Sequence, residues 1–147
     1  MSNFWKSVYD DDPRIRHLER LEPGVVFEWL TAHLPAVGSA VDWPRVEGEH
    51  THWFAESEEL ADVLSAFLAA VPEGSRAVLH EGDSLSPFPV RIEVDELRSA
   101  AEALLEIPEH HYFVDDQHRW VGVFRIEGDV DLIVLRGCAE RSFAEDE

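Results

Sequence analysis

The stretch from His110 to Arg136, HHYFVDDQHRWVGVFRIEGDVDLIVLR, constrains this chain more than any other. Tyr112 to Val114, Trp120 to Ile126 and Val130 to Leu135 are aromatic and β-branched runs. Such side chains fit a pleated, half-buried surface, and the segments between them, Asp115-Asp116-Gln117 and Glu127-Gly128-Asp129, have turn chemistry. The pattern predicts an antiparallel three-stranded meander. Alternation places Trp120, Gly122, Phe124 and Ile126 on one face of the middle strand, and Val121, Val123 and Arg125 on the other. One face is then available to bury against helices.

The upstream sequence supplies those helices. Pro23 to Leu34 carries Val26, Trp29, Leu30 and His33 at helical spacing and stops at Pro35 and Gly38. The clearest helical stripe is Leu60, Val63, Leu64, Phe67, Leu68 and Val71, with Ser57 as N-cap and Pro72-Glu73-Gly74 as the stop. Glu58 and Glu59 fall in its first turn, where the helix dipole favours negative charge without any ligand. A third helix, capped by Asp95, aligns Leu97, Ala100, Ala101, Leu104 and Leu105 and closes before Pro108. Near the N-terminus, Phe4, Trp5, Val8 and Tyr9 are able to dock on a core, and Asp12-Pro13 starts a short helix through Ile15 and Leu18. Val41 to Trp43, His50 to Phe54, Arg76 to His80 and Val90 to Ile92 read as strands. Together these elements predict a single α+β domain over residues 1–147. Its antiparallel sheet ends in the C-terminal three-stranded meander, with about three helices packed on one face.

Charge narrows the class of partner. Thirty-one acidic residues against twelve basic ones give a net charge of -19, spread over both halves of the chain. A field of that sign repels nucleic acid and anionic membranes and attracts basic proteins or metal cations. Ordinary solubility charge and adaptation to a saline habitat account for the same composition. Lys6 is the only lysine, while arginines and large aromatics fit a GC-rich genome as well as high salt. A lone Cys138 excludes an intramolecular disulfide and suits a reducing compartment. The sequence has no apolar run of transmembrane length and no signal-peptide order at MSNFWKSVYDDD. The expectation is a cytoplasmic protein with no membrane or nucleic-acid partner, a monomer or closed dimer.

Two kinds of site are conceivable. Eight histidines include His50-x-His52 and His110-His111, with Glu47, Glu49, Asp115 and His118 nearby. Two histidines at i and i+2 of a strand share one face, a start toward a tetrahedral metal site and a small metal-dependent hydrolase or metal-binding regulator. No HExxH, second cysteine or EF-hand spacing accompanies them, so surface histidines flanking strands are the simpler reading. Serine and Cys138 lack a nucleophile elbow, and isolated glycines form no phosphate cradle, so no cofactor is expected. The second kind is a recognition surface. Asp115, Asp116, Glu127 and Asp129 sit at the meander turns, while Glu47, Glu49 and Trp53 lie in an acidic stretch from Asp42 to Asp62. Carboxylates steer a basic partner to encounter, and aromatic anchors supply the short-range energy.

The tract Tyr112-Phe113-Val114-Asp115-Asp116, followed by Trp120 and the turn Glu127-Gly128-Asp129, resembles the C-terminal sheet of small acidic immunity proteins of bacterial polymorphic-toxin systems. The resemblance is confined to the C-terminal sheet and transfers no functional residue position by position. It implies a stoichiometric, non-enzymatic inhibitor that binds a cognate toxin, often a basic nuclease, and blocks its active site. A structural or scaffold component of a phage or secretion assembly is the further alternative.

Overall fold

The computed structural model describes residues 2–38, 40–56 and 59–136. Its centre is a seven-stranded sheet in the order β1-β6-β5-β7-β8-β9-β4, in which every neighbouring pair is antiparallel. The strands are β1 (Glu19–Arg20), β4 (Gly48–Phe54), β5 (Ala77–Gly82), β6 (Val90–Glu93), β7 (His111–Asp115), β8 (Trp120–Phe124) and β9 (Asp129–Leu135). The short strands β2 (Ala36–Val37) and β3 (Ala40–Val41) pair separately as a hairpin. The helices are α1 (Ser2–Asp11), α2 (Val25–His33), α3 (Leu60–Ala70) and α4 (Leu97–Leu104). The fold is the expected α+β class, and β7-β8-β9 is the expected meander.

The middle strand of the meander, β8, explains the layering. All five of its residues are buried, because its alternating sets are both apolar. Trp120 and Phe124 join Phe113, Leu132 and Phe67 in one core, beneath α3 and α4. Val121 and Val123 join Val114, Ile133 and Leu135 in a second core, covered by Val26 and Leu30 of α2. Helices therefore cover both faces, and α2 lies opposite α3 and α4 instead of beside them. Gly122 belongs to the first face, where a Cβ would collide with the Phe67 ring, so the strand needs glycine there for α3 to approach.

Several local expectations shift. The N-terminal helix precedes Asp12-Pro13 instead of following it, and Ile15 and Leu18 enter the core from turns. Trp43 begins a 3-10 turn (Trp43–Arg45), which Pro44 suits, so the strand expected there stops at Val41. Glu96, not Asp95, is the N-cap of α4, after a 3-10 turn over Val94–Glu96. β8 ends at Phe124, and Ile126 leaves the sheet within the turn before β9. Ser57, Glu58 and Cys138 lie outside the described residues.

Buried carboxylates tie the layers together. Glu81 on β5 accepts backbone N–H bonds from Gly24 at 2.7 Å and Val26 at 3.1 Å, satisfying the open N-terminus of α2. Burial pushes its pKa up, against the pull of those donors. Glu109 likewise gathers the N–H groups of Ser84 at 2.8 Å and Ser86 at 3.1 Å, fixing the loop between β5 and β6. Gly82 leaves the space this carboxylate fills.

Candidate functional site

The antiparallel register divides the predicted recognition residues between opposite ends of the sheet. His111 pairs with Phe124, Phe124 with Val130, and Phe54 with Asp129, so these residues and the Glu127 turn share one end. Gly48 pairs with Leu135 and Val78 with Asp115, which puts Glu47, Glu49, Asp115 and Asp116 at or near the other. Strands of this length hold the two groups on the order of 15–20 Å apart at about 3.3 Å per residue. They do not form one patch.

At the Asp115 end, the turn carboxylates face inward. Asp115 is 0% exposed and accepts from Arg119 at Nε, 2.9 Å, and from its backbone N–H, 3.1 Å. The Asp115–Arg119 pair locks the turn. Asp116 is mostly covered and sits 3.5 Å from Arg91. Glu47 and Glu49 are exposed there.

The opposite end has a different character. Phe54 is 56% exposed and Ile126 55%, two of the few large apolar side chains left in water among the described residues. Both line a cleft of about 350 Å³ with Leu60, Ile107, Phe124 and Val130. Its rim carries Glu56, Glu106 and Glu127, the last 64% exposed. Arg125 also lines it but is tied to Asp131. Asp129 is half-buried beside it, 3.4 Å from His52. Trp53 turns inward and meets Phe67 edge-on at 6.1 Å, so it anchors the core and leaves the surface to Phe54. The Ile126 turn is fixed by its own N–H donating to His110 Nδ1 at 2.9 Å. Apolar side chains with a carboxylate rim have the composition of a protein-docking patch.

The histidine pairs do not converge. β9 and β8 separate β4 from β7, which puts His50 and His52 on the order of 14 Å from His110 and His111 at about 4.8 Å per strand. His50 meets the Val46 carbonyl at 2.7 Å, and His52 meets Asp131 at 2.9 Å. Burial pushes the Asp131 pKa up, but the hydrogen bonds from Arg125 and His52 outweigh it and hold the carboxyl below its ordinary value. His111 is buried, with His80 Nε2 at 2.9 Å from its Nδ1 and the Ile107 carbonyl at 2.8 Å from its Nε2. Burial pushes both rings below the ordinary histidine pKa, His80 furthest. Among the described residues, no group of three histidines, cysteines or carboxylates is placed to hold a metal ion.

The sequence singles out Glu127 and Asp129 as turn carboxylates, and the fold sets both beside the cleft, but it does not single out Phe54 and Ile126, the last residues of the expected strands His50 to Phe54 and Trp120 to Ile126. The available signal was Arg125-Ile126-Glu127-Gly128, a turn-like run that shortens β8. No protein-family model matches the sequence, and no curated protein matches it. Among the described residues, no helix is long and apolar enough to cross a membrane.

Proposed function

We propose that this chain is a non-enzymatic binding protein that neutralises a basic partner enzyme, in the manner of an immunity protein acting on its cognate toxin. The observation that carries the reading is the cleft at the Phe54 end of the sheet, where exposed Phe54 and Ile126 are ringed by Glu56, Glu106 and Glu127. On a chain of net charge -19, long-range attraction brings a basic protein to this surface. Burial of the two apolar side chains then supplies the short-range energy, each worth about 1.5–3 kcal/mol when fully covered. A partner whose active site is a basic cleft would be occluded by the carboxylate rim. The residues assigned to contact are Phe54, Ile126, Glu56, Glu106, Glu127 and Asp129.

The test is affinity capture from the native lysate with the wild-type chain and with Phe54→Ala/Ile126→Ala in parallel. Both side chains are exposed, so the double variant keeps its fold. The reading expects one basic enzyme at equal stoichiometry, inhibited by the wild-type chain and at least about tenfold less well held by the variant. Capture of the same enzyme with unchanged inhibition by the variant would remove the cleft from the interface. A purified chain that turns over a substrate unaided would remove the non-enzymatic reading.

A further inference from the structure

A second cavity flanks the same end of the sheet on the opposite face, between α2, the β2–β3 hairpin and β7. It measures about 480 Å³ and is lined by Phe27, Trp43, Tyr112 and Asp83. Its volume lies within the roughly 300–1,000 Å³ typical of small-ligand sites. Its wall is aromatic. The Trp43 and Tyr112 rings lie 6.2 Å apart and nearly parallel, at 20°, and Phe27 meets Tyr112 edge-on at 5.0 Å. Asp83 lies at the exposed side, its Oδ1 accepting from the His110 N–H at 3.2 Å. Among the described residues, none donates to Asp83 Oδ2.

We infer that this cavity binds the guanidinium group of an arginine side chain presented by a protein partner. The face of a Trp or Tyr ring attracts a cation, and a planar guanidinium both stacks on such a face and donates to a carboxylate in its own plane. Trp43 and Tyr112 supply the face, and Asp83 supplies the carboxylate at its edge. An ammonium group fills neither role as well, because it is compact and strongly hydrated. Burial and, next to it, the Asp83 charge push the Tyr112 pKa up, and Arg125, which is paired with Asp131, opposes them less strongly. A protein source is favoured over a free amino acid by place: the cavity opens at the end of the sheet that carries the proposed contact cleft, and a peptide-borne arginine has neither an α-ammonium nor an α-carboxylate to desolvate. The inference deepens the binding-protein reading by naming what the partner inserts.

The probe is N-acetyl-L-arginine methylamide titrated into the full chain, followed by NMR shifts of the Trp43 indole and by calorimetry. The expected result is saturable binding, about tenfold weaker for the lysine analogue and about tenfold weaker for Asp83→Asn. Asp83→Asn keeps the oxygen that meets His110, so it preserves the loop, and Trp43→Leu provides a second variant with the same expected loss. No saturable binding, or equal binding of the lysine analogue, would overturn the inference. Tighter binding of free L-arginine would overturn the protein source. Each outcome is independent of partner capture: a chain that captures a basic enzyme yet ignores the probe loses this inference and keeps the proposed function.

Discussion

His80 and His111 show how burial fixes the chemistry of a residue that sequence treats as polar. Both are held neutral, His80 by desolvation and by His111 beside it. In the unfolded chain both titrate near 6.5, so below that pH the unfolded state takes up protons that the folded state refuses. The stability contributed by the neutral pair is present above about 6.5 and lost as pH falls, by at most about 1.4 kcal/mol per pH unit for each ring. Glu81 has the opposite sign: its raised pKa contributes stability below its unfolded value of 4.5, lost as pH rises through the folded value. Urea unfolding between pH 7.5 and 5.5 should therefore show falling stability, and His80→Leu should flatten the slope by about one proton. An unchanged slope in the variant would assign the pH dependence elsewhere. No sequence signal marked His80, because one histidine in an apolar strand reads the same whether it meets another histidine or water. Asp115 carries the same lesson. Its turn was legible, but the Arg119 side chain that draws it inward becomes a partner only once β7 and β8 pair.

The elements themselves were largely legible. The α3 stripe appears as read, with Val63, Leu64 and Phe67 buried and Leu60, Leu68 and Val71 packed at its margins. The three meander strands fall within a residue or two of their expected bounds. What periodicity did not reveal was which face each helix takes, since β8 offers two apolar faces and only the three-dimensional path assigns α2 to the second. The β8–α3 contact depends on Gly122. Gly122→Ala should force the Phe67 ring aside and cost about 1–3 kcal/mol of overpacking, measured by denaturant unfolding. A variant as stable as the wild type would mean that α3 does not press on β8 through Phe67.

For the whole molecule, the net charge of -19 was legible at once and its arrangement was not. The acids are spread along the chain, and antiparallel pairing then sorts them to opposite ends of the sheet. That sorting separates Asp115 and Asp116, committed to Arg119 and Arg91, from Glu127 and Asp129, which stand beside exposed apolar side chains. Two cavities open at the Glu127 end, one on each face, and this end is the proposed contact surface. Hydrogen exchange of the complex with the captured partner, against the free chain, tests that claim most directly. The account predicts slowed exchange at Phe54–Glu56 and Ile126–Gly128. Protection confined to Glu47–Glu49 and the Asp116–Arg119 turn, with the Phe54 end exchanging as in the free chain, would contradict it.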